Sequence, residues 1–132
     1  MKKLEDVYNK LNELLIEKLP DYIEKVNKEN NDGLIIEPFE NKNLEDTCSN
    51  LPCFAFDLQE AEATEKDRII ETKQIIFTLD IKLKPNTKKK LIKYFRSKYA
   101  VYKILEEADT ELWNGYKTIP GKLNQIKIEI TI

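Results

Sequence analysis

The alternation of apolar and polar residues between Ile75 and Lys84 constrains this chain more than any other feature. Ile75, Phe77, Leu79, Ile81 and Leu83 occupy one parity, and Thr78, Asp80, Lys82 and Lys84 the other. Successive side chains of a strand point to opposite faces, so the pattern predicts a half-buried β-strand. Five large apolar groups on one face need a helical layer or a second sheet to cover them. The parity fails just upstream, where Glu71 and Lys73 stand on positions that are apolar further on. The strand is therefore expected to begin at Ile69, with its core face ending near Ile75.

The residues before this strand supply its partner. Phe54, Phe56 and Leu58 share one face of a strand beginning near Leu51, which then turns small and acidic through Glu60, Ala61, Glu62 and Ala63. Thr64-Glu65-Lys66-Asp67 reads as a turn, giving a long antiparallel hairpin. With the turn centred between Glu65 and Lys66, Phe54 faces Phe77, Phe56 faces Ile75 and Leu58 faces Lys73, so the apolar faces coincide as register demands. Beyond Leu58 the hairpin is charged. Two accounts stand: a solvated tip, or an arm that meets a neighbouring subunit.

The cover comes from two helices. Leu4, Val7, Tyr8, Leu11, Leu14, Leu15 and Leu19 recur at helical spacing, predicting an amphipathic helix over Lys2–Lys18. Pro20 stops or kinks it, since proline lacks the N–H and clashes with the preceding turn. A short helical piece with Tyr22, Ile23 and Val26 follows, then a turn at Asn30-Asn31-Asp32-Gly33. Leu34-Ile35-Ile36 reads as a short strand closed by Pro38, and Phe39–Asn50 as an exposed loop. After Pro85, with Asn86 or Thr87 as N-cap, a long helix is expected from Lys88 to about Trp113. Leu91, Tyr94, Phe95, Tyr99, Tyr102 and Leu105 form its apolar stripe, and Gly115 its C-cap. A second alternation, Ile126, Ile128, Ile130 and Ile132 against Lys127, Glu129 and Thr131, predicts a C-terminal strand. The expected fold is one α+β domain over residues 1–132. It has a mixed, mainly antiparallel sheet of about four strands in the order α-β-β-β-α-β, covered by the N-terminal helix and one long helix, with a long projecting β-hairpin.

Composition restricts the chemistry. The chain has no histidine, which removes the commonest general base and transition-metal ligand, and with it a Ser-His-Asp hydrolase. Cys48 and Cys53 cannot complete a structural zinc site by themselves. Three glycines, Gly33, Gly115 and Gly121, offer no phosphate-binding loop. No apolar run approaches the roughly 20 residues of a membrane span, so no membrane partner is expected. Glu5 and Asp6 stand where a signal peptide would be apolar, which favours an intracellular setting with reduced thiols. No catalytic residue, metal site or cofactor is expected.

Two patterns carry functional expectations. Lys88, Lys89, Lys90, Lys93, Arg96, Lys98 and Lys103 form a basic run interleaved with Tyr94, Tyr99 and Tyr102. Such a run can bind phosphates and stack bases. The plainer account is a solvated basic face on a packed helix, which the net charge of −2 favours. It can also meet the acidic hairpin tip of another subunit. The candidate interface is then Glu60, Glu62, Glu65, Asp67, Glu71 and Lys73 on the arm, against Lys89, Lys93 and Arg96 on the helix. The second pattern is Asp57 with Glu71-Thr72-Lys73. In a helix-and-hairpin order such as this it suggests a Mg²⁺-dependent nuclease, two carboxylates holding the metal and the lysine near the attacking water. In the expected register, however, Asp57 lies on the face opposite Glu71 and Lys73.

Finally, the amphipathic helix running into Leu19-Pro20-Asp21-Tyr22-Ile23, the Asn31-Asp32-Gly33 turn, the short strand closed by Pro38, the charged hairpin, the single long helix and the terminal strand form a sequence of elements. In order and length it resembles the small tail-terminator and head–tail joining (neck) proteins of tailed bacteriophages and prophages. The resemblance implies a non-enzymatic structural protein, a ring (often a hexamer) that caps the tail tube. Its partners would be itself, the major tail protein and the head connector proteins, with nucleic acid as a lesser alternative. It would reside in the host bacterial cytoplasm during assembly and then in the virion. By that analogy the hairpin arm and the exposed loop make ring and axial contacts.

Overall fold

The computed structural model describes residues 4–37, 53–108 and 115–131. Among these residues two helices and four strands follow in the order α1 (Leu4–Asn30), β1 (Cys53–Lys66), β2 (Ile69–Lys82), α2 (Lys90–Glu107), β3 (Gly115–Thr118) and β4 (Gln125–Thr131). The α+β class and the two covering helices are as expected. The sheet has the order β1-β2-β4-β3, and every pairing in it is antiparallel. The expected loop at 39–50, Cys48 and the residues around Trp113 lie outside the described residues.

α1 is longer than its sequence suggested. It continues for 27 residues, with Pro20 inside it. Its buried positions are Val7, Leu11, Leu15, Leu19, Ile23 and Val26, an apolar line that passes Pro20 without a break. Pro20 itself is exposed, so its ring lies off the buried line. A proline in a helix interior costs about 3 kcal/mol. Burying Leu19 and Ile23 on either side of it offsets that cost, since each large apolar side chain contributes about 1.5–3 kcal/mol.

The core lies between the helices and one face of the sheet. Ile75, Phe77, Leu79 and Ile81 of β2, Ile126, Ile128 and Ile130 of β4, and Phe54 of β1 join the α1 residues in one buried cluster. α2 contributes Ala100, Val101, Ile104 and Leu105. The other sheet face is polar: Thr78, Asp80, Lys127 and Glu129 are half-buried there, and Asp57 is exposed. The alternations read from Ile75 and Ile126 therefore locate the core face correctly.

Segment 34–36 is not a strand. Its backbone groups are taken by side chains instead of a neighbouring strand, which answers where they must be satisfied. The Ile36 N–H donates to Asn27 Oδ1 at 2.9 Å, and Asn27 Nδ2 donates to the Ile36 carbonyl at 3.1 Å. Arg96 Nη1 donates to the Leu34 carbonyl at 3.3 Å. One strand of the expected order thus moves, from Leu34–Ile36 to Gly115–Thr118, where Gly115 opens β3; α2 ends at Glu107 with Ala108 as its C-cap.

The hairpin register also differs from the expected one. The strands are joined at Asp67-Arg68, with φ of 52° and 67°, the two positive values that a two-residue type I′ turn requires. Phe54 faces Ile81, Phe56 faces Leu79 and Leu58 faces Phe77. The displacement from the expected register is four residues. An even displacement keeps the side chains from Phe54 to Glu60 on their predicted face while changing each individual pair.

Candidate interaction surface

The arm is the part of the hairpin that has outrun the sheet. Among the described residues β4 pairs with β2 from Gln74 to Asp80 and no further. Ile69 to Lys73 therefore project beyond it with β1 as partner, about 17 Å at about 3.3 Å per residue. At the base of the arm the pairing steps twice: Glu60 faces Ile75, Glu62 faces Gln74 and Ala63 faces Thr72. The offset gained at the first step is returned at the second, so each strand carries one extra residue. An extra residue resets the alternation of a strand. This is why the apolar parity of β2 stops at Ile75.

The candidate arm residues are spread along this projection. Glu65 faces Ile70 and Glu71 faces Thr64. Asp67 stands in the turn. Glu65, Asp67, Arg68 and Ile69 are all exposed, and Ile69 keeps 50% of its surface accessible. Lys73 is half-buried at the arm's base. The nuclease constellation is not brought together. Asp57 faces Thr78, seven positions along β2 from Glu71, about 23 Å at the strand rise. Among the described residues no group of three or more Cys, Asp and Glu side chains converges as metal ligands would.

α2 presents two faces, and the expected stripe is divided between them. Leu105 of that stripe is buried, whereas Leu91, Phe95 and Tyr99 are 52%, 51% and 46% exposed, with Ile92 beside them at 37%. The buried face holds Ser97, Ala100, Val101, Ile104 and Leu105. Ser97 is buried because its hydroxyl donates to the Lys93 carbonyl at 2.8 Å, a local bond that satisfies it. Size led the reading astray: the aromatic residues are bulkier, but the buried line is made of Ser97, Ala100, Val101, Ile104 and Leu105. Tyr94 and Tyr102 do pack against the core. The signal available was the spacing 97, 100, 101, 104, 105, a second apolar line of full helical period.

The basic residues of α2 divide likewise. Arg96 is not available to a partner. Its guanidinium holds Asp32 at 2.5 Å and is itself only 15% exposed, fastening the turn after α1 onto α2. Lys93 stands near Glu37, whose carboxyl is held below its usual range, chiefly by its hydrogen bond from Lys84. Lys98 Nζ donates to the Lys122 carbonyl at 3.2 Å. Lys103 lies over the Tyr99 ring, 5.9 Å from its centroid. Lys88 and Lys89 remain exposed at the start of the helix. Lys89 occupies the N-cap with φ 56° and no side-chain cap bond.

The Arg96–Asp32 pair carries a pH signature. The hydrogen bond from Arg96 holds the Asp32 carboxyl at about 2, below its ordinary 3.8. A depressed carboxyl stabilises the fold above its unfolded value and loses that contribution as pH falls through the folded one. Asp32→Asn should therefore melt below the wild type near neutral pH, and the gap should close between about pH 4 and pH 2. Melting curves across that range check it; a gap independent of pH would remove the pair from the account of acid stability.

Comparison with protein-family models, with curated proteins and with solved structures returns no match.

Proposed function

We propose that this chain is a self-assembling structural subunit of the tail-terminator or head–tail joining type found in tailed phages and prophages. It acts by forming a ring and performs no catalysis. The observation that carries the reading is the arm: a two-stranded projection beyond the sheet, with exposed Glu65, Asp67 and Ile69, pairing with no third strand among the described residues. An isolated two-stranded ribbon is marginal in water. A protein keeps one of this length at low cost when it is completed by a neighbour. Among the described residues β1 is also an edge strand, 14 residues long, and long edges of this kind invite pairing or cover. Among the described residues no helix is long and apolar enough to cross a membrane.

The expected result is concentration-dependent assembly of the full chain, read by light scattering or mass photometry, with closed annular particles in electron micrographs. A strict monomer at millimolar concentration would sink the reading. Its phage assignment is tested separately, by incubating the chain with purified tail tubes and asking whether it occupies their open ends.

A further inference from the structure

The arm and the start of α2 lie at opposite ends of the molecule. β2 runs from Ile69 at the arm to Lys82 at the base, about 43 Å at the strand rise. Leu83–Lys89 then turn the chain into α2, with the Thr87 N–H donating to the Lys84 carbonyl. The base end is fixed by side chains as well: Arg96 meets Asp32 there, and Lys98 meets Lys122, next to the Asn124 carbonyl that accepts from the Ile81 N–H. The exposed apolar patch of Leu91, Phe95 and Tyr99 therefore sits near the base, beyond reach of the molecule's own arm.

The two ends are complementary in charge and polarity. From Glu62 to Lys73 the arm carries four acidic residues against Lys66, Arg68 and Lys73. From Lys88 to Lys103 the helix carries seven basic residues and no acidic one. Each end also exposes apolar surface, Ile69 on the arm and Leu91, Phe95 and Tyr99 on the helix. Lys88, Lys89 and Lys90, just before and at the start of the helix, oppose its dipole, and an acidic partner relieves that repulsion.

We infer that the arm of one copy seats on the N-terminal half of α2 of the next, Ile69 against the Leu91–Phe95–Tyr99 patch and Glu65 and Asp67 beside Lys88 and Lys89. This rests on the self-assembly reading and names its interface. Because the two surfaces differ, the contact is heterologous: repeated, it closes into a ring or runs on as a filament. The occupant of the basic helix is then a second copy of this chain and not a nucleic acid.

Mixing separates the possibilities. The arm variant is Glu65→Lys with Asp67→Lys; the helix variant is Lys88→Glu with Lys89→Glu and Phe95→Asp. All five positions are exposed, so circular dichroism and melting should match the wild type. Each variant alone should be monomeric, its self-association weakened at least tenfold. Mixed, they should form a 1:1 heterodimer, since the helix variant keeps an intact arm and the arm variant an intact helix. Rings that survive both variants overturn this interface and leave self-assembly standing, whereas a wild-type monomer at all concentrations overturns both. Two monomeric variants that stay separate on mixing overturn the heterologous contact. Salt-sensitive DNA binding that is lost in the helix variant while assembly is unchanged assigns the basic face to nucleic acid instead.

Discussion

Phe77→Ala should cost about 3–5 kcal/mol of folding stability, the usual loss for a large aromatic removed from a packed core. Phe77 is fully buried at the centre of the sheet, opposite Leu58 on β1 and Ile128 on β4. Folded domains hold only about 5–15 kcal/mol in total, so the variant should be partly unfolded near physiological temperature. Urea titration gives the direct measurement, with a lowered midpoint and an unchanged slope. Phe95→Ala is the matched control. Half of Phe95 is exposed on α2, and surface changes of that kind fall within about 0.5 kcal/mol. Equal losses at the two positions would mean that the packing of α2 described above is wrong.

Pro20→Ala should move stability the other way. A proline inside a helix costs about 3 kcal/mol relative to alanine. Its rigidity in the unfolded chain returns about 0.4–1 kcal/mol of that. The net gain on replacement is then about 2 kcal/mol, a rise in melting temperature of roughly 8 °C for a chain of this size. Pro20 is exposed, so alanine removes no buried contact. Thermal melts of the two proteins settle the matter. No gain, or a loss, would show that Pro20 holds α1 in a shape that its packing requires.

Both positions also mark what the residues disclosed in advance. Phe77 belongs to an alternation of five residues with one strand period, and nothing else in the chain competes with that pattern. Its burial, its face and its strand were all legible. Pro20 was legible as a local obstacle but not as one that would be overridden. The deciding fact is tertiary: Leu19 and Ile23 belong to one buried line, and their burial outweighs a local defect. The hairpin register failed for a related reason. Arg68 gives no signal of a left-handed turn, because arginine rarely adopts positive φ, so the turn was placed at Thr64-Glu65-Lys66-Asp67, centred between Glu65 and Lys66, instead. The strand at Leu34–Ile36 was misread because apolar spacing reports burial, not the identity of the hydrogen-bond partner. Ile36 is indeed buried, but Asn27 of α1 supplies its partner.

For the candidate surface the division is similar. Charge is a property of composition, and the acidic arm and basic helix were visible in it. Which cations remain accessible depends on geometry that no linear pattern holds. Arg96 is consumed by Asp32, 64 residues away in the chain. The outward patch of Leu91, Phe95 and Tyr99 on α2 was concealed by its own bulk, since large apolar residues suggest a core until a second line, Ser97 to Leu105, is shown to occupy it.

The paired steps at Glu60–Ala63 restrict how the arm can change its reach over generations. Because each strand carries one extra residue there, the two strands stay in step all the way to the turn. Loss or gain of a single residue in one strand would put every tip side chain on the other face. Viable length variants should therefore arise by matched changes of two residues in each strand, such as Thr64-Glu65 together with Ile70-Glu71. The arm's reach is then quantised, in increments of about 6.6 Å at the strand rise.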